Sequence, residues 1–350
     1  MLISLTATAD DNGRRLDRIL RKALPDMPLS AIHRLVRKGG VLVDGKKAAI
    51  GRRVCAGQTI TIKGLGVRDQ GIGIEVRGKS RLSTYTDNEH QPHSPLPTPH
   101  SLLPDMILFE GAGLLILNKP AGLQVHGRES LEDLVLSYLE PKLPPSLSFR
   151  PGPLHRLDRP TSGIIVFSTS LEGARFFSAV MRNRMLKKQY LALVKGIIEK
   201  AEVWQDELVR DERQKKTFRS HGAAYHGVSK PADSKTALTR VDPLAGDGEC
   251  TLVLAEIETG RTHQIRAQAA SRGYPLLGDR KYCDAMYGDA LGFSGDFLLH
   301  SWRMEFMEKT DNDQYEGLPR RIEAPLPEKF IGKIRNIFGK GIISDLLSKL

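Results

Sequence analysis

The chain has 350 residues, of which 40% are hydrophobic, so two or three domains with a substantial core are expected. A formal net charge of +11 and an isoelectric point near 9.5 favour a polyanionic partner, most simply nucleic acid. Three well-separated cysteines exclude a disulfide framework or a zinc motif, and neither a signal peptide nor an apolar run of membrane-spanning length occurs, so a reducing cytoplasm and no membrane partner are expected.

Residues 1–65 are predicted to form a small N-terminal α/β unit. Apolar residues at helical spacing predict an amphipathic helix that starts near Arg15, and Ser30 is the predicted N-cap of a second helix. An Asp44-Gly45 turn between two short strands predicts a hairpin, and residues 59–62 alternate between apolar and polar as a final strand does.

Most of the positive charge is concentrated in this unit. Residues 1–65 hold 13 Lys and Arg against 5 Asp and Glu, a difference of +8 out of the +11 of the whole chain. A cationic helix face beside a basic hairpin suits contacts with phosphates, and a merely soluble basic helix is the alternative. Six side chains are the predicted RNA contacts of this unit: Arg15, Arg18, Arg34, Arg37, Lys38 and Lys46.

The same unit resembles a known RNA-binding module. Its order of elements and the segments 30–39 and 41–46 resemble the S-four-type domain, which is shared with a ribosomal small-subunit protein. The resemblance spans roughly residues 13–63 and implies that structured RNA binds through the pair of helices.

Residues 66–104 are predicted to be a flexible linker. The first part is rich in glycine and charge, and residues 94–100 contain three prolines without apolar periodicity, which is typical of extended or disordered chain. His90, His93 and His100 are better explained as scattered linker histidines than as a metal site.

Residues 105–330 are predicted to form a larger unit of the α+β class. Strands outnumber helices and do not alternate with them, which favours a central mixed, mainly antiparallel sheet over a doubly wound fold. No phosphate-binding glycine loop and no zinc-like spacing of Cys and His occurs there. The predicted strands are 107–110, 114–117, 164–167, 187–196, 252–257 and 297–300. The predicted helices are 130–139, 172–185, one that ends at residue 270, and 331–350, whereas residues 199–250 show no clear pattern.

The larger unit is organised around residues 155–163, which read His-Arg-Leu-Asp-Arg-Pro-Thr-Ser-Gly directly before the apolar run 164–167. That run predicts a buried strand, Pro160 prevents regular structure before it, and the glycine of the motif permits close approach of another backbone. Asp158 should therefore lie on a loop at the mouth of the sheet. Flanked by Arg156 and a second arginine, it should stay ionised and act as a nucleophile or base. The alternative is an ordinary turn in which the Asp158 side chain caps main-chain amides.

Further polar groups lie within or after predicted strands. Tyr190 lies within one strand, and Arg261, His263 and Arg266 follow another. We expect these groups to converge with Asp158, because strand ends near the centre of a sheet often meet at one site. A carboxylate paired with an arginine has a defined geometry, and a phenol nearby can stack on a flat ring or handle a proton. Such a set, without metal or cofactor, suits covalent catalysis on a ring that lies beside a phosphate backbone.

Together these segments resemble the RluA-type pseudouridine synthases over about residues 106–327. The resemblance rests on motifs in a fixed order: residues 118–123, 155–163, 188–192 and 259–266, then 278–279, Tyr282 and 299–300. An upstream S-four-type module is the usual arrangement in the large-subunit ribosomal RNA branch of that family.

The resemblance implies a fold, a reaction and residue roles. The family isomerises uridine in RNA without cofactor or metal: the bond from the sugar to N1 breaks, the flipped-out uracil turns, and a C–C bond forms. By resemblance, Asp158 is the catalytic aspartate, and Tyr190 is the tyrosine that stacks on uracil and assists proton removal. Arg266, in preference to Arg261, is the arginine paired with the aspartate. Seven residues are the expected substrate contacts: Arg156, Thr161, Ser162, Arg261, His263, Asn118 and Lys119. The expected partner is large-subunit ribosomal RNA, and the expected state is a monomer.

The sequence departs from the family pattern at two places and leaves two alternatives open. Gln268 stands where the family usually has a histidine, and residues 159–160 replace a commoner charged-polar pair, which bears on substrate identity more than on activity. The alternatives are a catalytically silent RNA-binding ribosome-assembly factor on the same fold, and an RNA hydrolase that uses Asp158 with His155 or His263 as acid and base.

Overall fold

The structure is a computed structural model that describes residues 2–24, 27–63, 103–143, 146–147, 149–220, 234–283, 297–307, 317–339 and 341. The chain divides into two compact units. The first comprises Met1–Leu103, Leu134–Gly152 and Ser168–Ala174, and the second comprises Pro104–Asp133, Pro153–Phe167 and Arg175–Leu350. Most of the predicted linker, including its histidines, lies outside the described residues, so the predicted domain boundaries stay predictions.

Two short helices and six short strands make up the N-terminal part. They are β1 (Ile3–Thr6), β2 (Arg14–Arg15), α1 (Leu16–Ala23), α2 (Leu29–Arg37), β3 (Val41–Val43), β4 (Lys46–Lys47), β5 (Arg53–Val54) and β6 (Thr59–Ile62). The order of the main antiparallel sheet is β1-β6-β3-β4, and β2 pairs with β5. The predicted hairpin is confirmed, since Asp44 and Gly45 have φ angles of 50° and 76°, as a type I′ turn requires. Apolar side chains at helical and alternating spacing form one core: Leu16, Ile19, Leu20, Ile32, Val41, Val43, Ile60 and Ile62.

The second helix begins before the predicted cap. Its N-cap is Pro28, and Ser30 is an exposed residue of the first helical turn. The backbone of Pro28, with φ −63° and ψ 149°, already has the extended conformation that an N-cap needs. The fixed φ of the proline therefore sets the start of α2, and no side-chain cap from Ser30 is involved.

One large sheet dominates the rest of the described chain. Its strands are β7 (Ile107–Gly111), β8 (Leu114–Lys119), β9 (Gly152–Pro153), β10 (Ser162–Ser168), β11 (Leu186–Lys195), β12 (Glu202–Asp211), β13 (Lys216–Arg219), β14 (Lys235–Gly246), β15 (Cys250–Ile257), β16 (Leu299–Phe306) and β17 (Arg321–Glu323). The helices of this part are α3 (Leu131–Leu139), α4 (Leu171–Arg182), α5 (Gln264–Ser271) and α6 (Glu328–Phe338).

The predicted α+β fold is confirmed by the topology of this sheet. Its order is β13-β12-β14-β15-β11-β16-β10-β8-β7, with β17 paired to β16 and β9 to β10. Strands β10 and β16 run parallel, whereas the pairs β12–β14, β14–β15, β11–β15 and β11–β16 are antiparallel. The sheet is thus mixed and mainly antiparallel, and β10, β11 and β16 lie together near its centre.

Three strands, β12, β13 and β14, occupy the stretch in which the sequence showed no clear pattern. The inward side chains of β12 are Trp204, Asp206 and Leu208, so a carboxylate interrupts the apolar alternation. Asp206 is buried because Arg219 and Arg272 pair with it at 2.7 and 2.8 Å. A buried charge cluster of this kind conceals a strand from any prediction based on hydrophobic period.

The last part of the sheet extends further than predicted. Strand β16 starts at Leu299 and continues to Phe306, and β17 pairs with it. The continuation contains Arg303, whose guanidinium lies 3.8 Å from the centre of the Trp302 ring and donates from Nε to Glu323 at 2.7 Å. These contacts allow a charged residue to occupy a buried strand position, which the sequence pattern did not indicate.

The predicted C-terminal helix over residues 331–350 is present in part. Helix α6 begins directly after its N-cap Pro327 and ends at Phe338, and its C-cap Gly339 has a φ of 87°. Glycine adopts such a positive φ without steric cost and so can end a helix. Residues 340 and 342–350 lie outside the described part of the chain.

Gly163 allows the backbones of β10 and β16 to approach closely, as the sequence predicted. It pairs with Ser301 in the parallel ladder and has a φ of 103°. A Cβ at this position would lie 2.2 Å from the Ser301 carbonyl oxygen, far inside van der Waals contact. Any side chain here would push apart the two central strands.

Replacing Gly163 with alanine is therefore expected to lower the free energy of unfolding by about 2 to 4 kcal/mol, through overpacking and a strained positive φ. Urea denaturation measures the effect. Gly332→Ala in α6 is the matched control, because nothing lies within 4 Å of its would-be Cβ. That control should leave stability unchanged or raise it by up to about 1 kcal/mol. Equal stability of the two variants would contradict the close approach.

Candidate active site

Asp158, Tyr190 and Arg266 reach one place from three different elements. Asp158 lies in the loop between β9 and β10, Tyr190 lies on β11, and Arg266 lies on α5. All three line one cavity of about 270 Å³, here called the inner cavity. The sequence-selected carboxylate, phenol and guanidinium are thus neighbours in the fold, although their roles stay predictions.

The Asp158 carboxylate is held by a guanidinium and not by its own main chain. Arg266 Nη1 donates to Asp158 Oδ2 at 2.7 Å, and the carboxylate is 15% exposed. The turn that the sequence offered as the alternative does exist, because the Thr161 N–H donates to the Asp158 carbonyl at 3.0 Å. No described main-chain N–H caps the side chain, however, so the carboxylate remains available to the cavity.

Arg266 is fixed on its other side by a buried carboxylate. Its Nε and Nη2 donate to the two oxygens of Asp279 at 2.7 and 2.9 Å, a bidentate pair in which the side chains are 8% and 1% exposed. The guanidinium also lies 5.1 Å from the Tyr282 ring centre and 4.5 Å from that of Phe297. Burial alone would lower the pKa of Arg266, but its hydrogen bonds to Asp279 and the charges of Asp279 and Asp158 raise it above the ordinary value. The arginine is therefore a permanent, rigidly oriented cation.

His263 is the second nitrogen-bearing side chain beside Asp158. It immediately precedes α5 with a left-handed backbone, φ 54° and ψ 27°, and its Nε2 lies 3.7 Å from Asp158 Oδ2. Its Nδ1 is 3.0 Å from Tyr282 Oη, which itself accepts the Thr217 N–H at 2.8 Å. The Tyr282 proton is thus free to go to Nδ1, which leaves the Nε2–H facing Asp158. Burial lowers the pKa of His263 to about 4, against the opposing charge of Asp158, so the ring is neutral at neutral pH.

Tyr190 is buried beside a shift in the ladder of β11 and β16. The register changes between Gln189 and Tyr190, which places Tyr190 opposite Ser301, and such bulges often occur next to functional sites. Burial raises the pKa of Tyr190 to about 12. The phenol is therefore protonated at neutral pH and is suited to stacking or to donating a hydrogen bond.

A second, outer cavity of about 460 Å³ adjoins the first and shares Arg156, Asp158, His263 and Arg266 with it. Its rim carries four basic side chains that suit phosphate groups: Arg156, Arg159, Arg280 and Lys281. Arg156 is exposed, as a substrate-contacting residue should be.

Arg261 lies on the rim of the inner cavity and does not pair with Asp158. Its Nε donates to the Thr236 carbonyl at 3.0 Å, and its main-chain N–H donates to Gln264 Oε1 at 3.0 Å. Of the two arginines that the sequence offered as partners of Asp158, the one in contact is Arg266.

Lys119 and Asn118 line neither of these two cavities, and their contact with the substrate stays a prediction. Lys119 is fully buried, and its Nζ donates to three main-chain carbonyls at 2.7 to 3.1 Å, one of them that of Arg159 in the Asp158 loop. Asn118 Nδ2 donates to the Pro325 carbonyl at 3.3 Å. Lys119 therefore connects the loop after β8 to the Asp158 loop through hydrogen bonds. Burial lowers the pKa of Lys119 to about 8.

Ser162 is likewise turned away from the cavities, whereas Thr161 faces the inner one. Ser162 is 3% exposed, and its Oγ lies 2.8 Å from His300 Nδ1. His300 Nε2 lies 3.2 Å from the Ala324 carbonyl and can only donate to it, so Nδ1 accepts the Ser162 proton. Thr161 lines the inner cavity, and its Oγ1 is buried without a hydrogen-bond partner among the described residues.

Acidification is expected to destabilise the protein through His300. Burial lowers its pKa to about 4, while the unfolded chain takes up the same proton near pH 6.5. Between these values the unfolded state binds more protons, so stability falls as the pH falls, by up to about 1.4 kcal/mol per pH unit. Urea denaturation at pH 7, 6 and 5 should show a shallower loss for His300→Gln than for the wild type. Parallel losses would contradict a neutral His300.

Gln268, the departure from the family pattern, has a structural position. Its Nε2 donates to Asp206 Oδ2 at 2.7 Å and to the Trp204 carbonyl at 2.9 Å, and its Oε1 accepts from Thr239 Oγ1 at 2.7 Å. It is fully buried and joins α5 to β12 and β14. The partners of these side-chain hydrogen bonds, Asp206, Trp204 and Thr239, do not line the inner cavity.

The six predicted RNA contacts of the N-terminal part are all exposed: Arg15, Arg18, Arg34, Arg37, Lys38 and Lys46. Arg34, Arg37 and Lys38 follow one another at helical spacing around the end of α2, and none has an ion-pair partner among the described residues. Arg15 differs, because its Nε and Nη2 donate to the Asp17 carboxylate at 3.1 and 3.2 Å. Its charge is already partly neutralised.

Within the described ranges, no three His, Cys, Asp or Glu side chains are placed to hold a metal ion. In the same part of the chain, no helix combines the length and apolar character needed to cross a membrane.

Four residues of the site were not selected from the sequence: Lys188, Asp279, Tyr282 and Phe297. Asp279 and Tyr282 belong to short motifs that signalled the family but carry no chemical signature by themselves. Phe297 lay in a predicted strand, and Lys188 looked like an ordinary charged strand residue. Only the folded chain shows that the other three surround Arg266 and that Lys188 lines the inner cavity.

Comparisons with known proteins give two family matches, several relatives and a solved structure of the same fold. Residues 113–271 match the family described as RNA pseudouridylate synthase, and residues 14–60 match the S4 domain. The ribosomal large subunit pseudouridine synthase C of Escherichia coli K12 is 31% identical over 338 residues, which cover 94% of this chain and 95% of that protein. The enzyme of the same name from Vibrio parahaemolyticus is 30% identical over 327 residues, 92% of this chain and 94% of that one. The solved structure of human RNA pseudouridylate synthase domain containing 4 shares the fold, with a TM-score of 0.56 and 22% identity over 68% of this chain and 95% of that chain.

Proposed function

This chain belongs to the RNA pseudouridylate synthase family and carries an S4 domain, and from that premise we propose that it isomerises uridine in large-subunit ribosomal RNA. It is an enzyme, a pseudouridine synthase that binds RNA. The choice of RNA follows the names of relatives that align over more than 90% of both lengths. Those names do not favour the alternative of a catalytically silent assembly factor.

We propose that Asp158 acts on the flipped-out nucleotide as nucleophile or base, while Tyr190 stacks on the uracil as a protonated phenol. The observation that carries this proposal is the 2.7 Å contact between Arg266 and Asp158 at a cavity of about 270 Å³ that Tyr190 also lines. A cavity of that size suits a single pyrimidine ring. His263 and Arg156, which line both cavities, are proposed to contact the same nucleotide.

In the proposed reaction the bond between uracil N1 and the sugar C1′ breaks, and a bond between C5 and C1′ forms. C5 loses one proton and N1 gains one, so the product is an isomer of the substrate. Taking the uridine out of its stack costs a few kcal/mol, about the amount expected for one base. Phosphate contacts of the basic rim formed by Arg156, Arg159, Arg280 and Lys281 are proposed to offset this cost.

The test is to map pseudouridine in ribosomal and transfer RNA from cells with and without this chain, and then in purified RNA incubated with the protein. We expect at least one large-subunit site to lose pseudouridine without the chain and to regain it on incubation. Modification confined to transfer RNA would refute the proposed substrate. Cleaved RNA in place of intact isomerised RNA would favour the hydrolase alternative.

We further propose that the basic end of α2 supplies part of the RNA affinity. Exchanging Arg34, Arg37 and Lys38 together for glutamine is expected to weaken binding to all RNA sequences alike. It should also flatten the slope of log affinity against log salt by about 0.7 to 0.9 for each phosphate that is no longer neutralised. Fluorescence anisotropy over a salt series measures both quantities. Arg15→Gln should change the slope less, because Asp17 already pairs with Arg15. An unchanged slope in the triple variant would place the RNA elsewhere.

We also propose that the chain acts as a monomer in the cytoplasm. The large exposed apolar side chains of the described residues are few and scattered along the sequence: Leu2, Leu29, Ile197, Val203 and Met307. Its three cysteines are not joined in disulfides, which supports a reducing compartment. Light scattering should give a mass near 38.8 kDa, whereas twice that mass would refute the monomer.

A further inference from the structure

Lys188 carries a buried charge that the described residues do not neutralise. It lies on β11 and is 4% exposed, and its ammonium group makes no ion pair or hydrogen bond within the described part of the chain. The charged group that acts on it most strongly is another cation, Arg261. Burial and that repulsion lower the pKa of Lys188 to about 8. A largely buried lysine whose ammonium has no partner is costly, and Lys188 lines the inner cavity, so a ligand in that cavity is the expected partner.

The ligand that Lys188 meets must lie in the inner cavity beside Tyr190. The two residues are two positions apart on β11, and burial alternates along this part of the strand, with Leu186, Lys188 and Tyr190 buried and Lys187 and Gln189 partly exposed. Their side chains therefore point to the same face, and both line the inner cavity together with Asp158. Gln189 points to the other face, where its Nε2 donates to Glu256 at 3.1 Å.

We propose that Lys188 donates a hydrogen bond to a ring carbonyl of the target uracil and stabilises the negative charge on the ring once it has left the sugar. This inference rests on the proposed function. It adds a catalytic contact to the set formed by Asp158, Tyr190 and Arg266.

A base carbonyl fits this position better than a phosphate does. The inner cavity around Lys188 has apolar walls that suit a flat ring: Leu154, Met181, Ile257 and Leu299. The basic side chains that suit phosphates lie mostly at the outer cavity, which Arg156, Arg159, Arg280 and Lys281 line, and the exposed Arg261 lies at the rim of the inner one. The part of the nucleotide that reaches Lys188 is therefore the base, and its oxygen atoms are O2 and O4.

The chemistry explains why a cation there accelerates the reaction. When the N1–C1′ bond breaks, its electron pair stays on the ring, and the charge spreads from N1 to O2 and O4. The ring then turns, C5 bonds to C1′, the C5 proton is lost and N1 is protonated. Lys188 keeps its proton throughout, and its hydrogen bond strengthens as the oxygen gains charge. Interactions that strengthen toward the transition state raise kcat.

The first test compares Lys188→Met with Lys187→Met, the neighbouring lysine on the other face of β11. We expect Lys188→Met to lower kcat about 10²-fold, as the loss of one such donor does, with the half-saturating RNA concentration little changed. Because methionine removes an unpaired buried charge at similar volume, the melting temperature should hold or rise. Lys187→Met should leave kcat near the wild-type value. A kcat for Lys188→Met equal to that of the control overturns the inference. So does a lower melting temperature of Lys188→Met together with a loss of RNA binding as large as the loss of kcat.

The second test changes the acceptor instead of the donor. Target RNA is made with 2-thiouridine or 4-thiouridine at the modified position, since sulfur accepts hydrogen bonds more weakly than oxygen. For one of the two thio-substrates, the wild-type protein should react more slowly than with uridine, whereas Lys188→Met should react with both at the same rate. Such non-additive losses are what a double-mutant cycle gives for two groups in contact. Fully additive losses for both thio-substrates overturn the contact. A wild type that forms no pseudouridine refutes the proposed function itself, whereas an active wild type with additive losses refutes this inference alone.

Discussion

Asp158→Asn is expected to slow pseudouridine formation by at least about 10³-fold, the scale seen when an enzyme loses its reacting side chain. The amide has nearly the same shape as the carboxylate but is neither a nucleophile nor a base at neutral pH. Single-turnover conversion of target RNA, with protein in excess, measures the chemical step directly. Activity within tenfold of the wild type would remove Asp158 from the centre of the mechanism.

The same variant should remain folded, which makes it an informative test of chemistry. Arg266 keeps its bidentate pair with Asp279 when Asp158 is neutral, so no buried guanidinium is left without a carboxylate. RNA affinity and melting temperature are expected to stay close to those of the wild type. Asp242→Asn is the matched control, since Asp242 is an exposed residue of β14 outside both cavities, and it should alter none of these quantities.

The sequence predicted the parts of the fold in which hydrophobic period and turn chemistry agree. The first hairpin and strand β6 appear where predicted because alternation, Asp44-Gly45 and neighbouring glycines all point to the same structure. The sequence-based prediction of strands failed where buried charged residues take positions that apolar residues usually occupy. Asp206 on β12 and Arg303 on β16 occupy inward positions through ion pairs with residues far along the chain, and no local pattern records such a partner.

The candidate site shows the same limit. Asp158, Tyr190 and Arg266 could be selected because their residue types and motifs suggest chemistry. The environment that decides what a charged residue does could not be predicted. Lys119 and Lys188 look alike in the sequence, yet the first donates to three carbonyls and the second has none of these bonds within the described chain. Asp279, which orients Arg266, lies 13 residues beyond it and becomes recognisable only from the 2.7 Å contact.

Arg266→Met is expected to cause a large loss of both stability and activity, because it leaves the buried Asp279 carboxylate without its ion-pair partner. Removing one partner of a buried ion pair typically costs about 3 to 5 kcal/mol of unfolding free energy. The side chains involved are 8% and 1% exposed, so solvent cannot take over the role of the missing partner. Urea denaturation followed by tryptophan fluorescence measures the loss. A variant as stable as the wild type would contradict the buried pair.

The double variant Arg266→Met with Asp279→Asn separates the structural role of Arg266 from its catalytic role. Asparagine keeps an acceptor for the Lys281 N–H, which lies 3.1 Å from Asp279 Oδ1, but carries no charge that needs a partner. We therefore expect the double variant to recover most of the stability that the single variant lacks, with a coupling energy of about 1 to 3 kcal/mol between the two positions. Activity should remain at the level of Arg266→Met, because Asp158 still lacks its guanidinium. Recovery of activity together with stability would mean that Arg266 serves folding only, and that Asp158 reacts without a positioned cation.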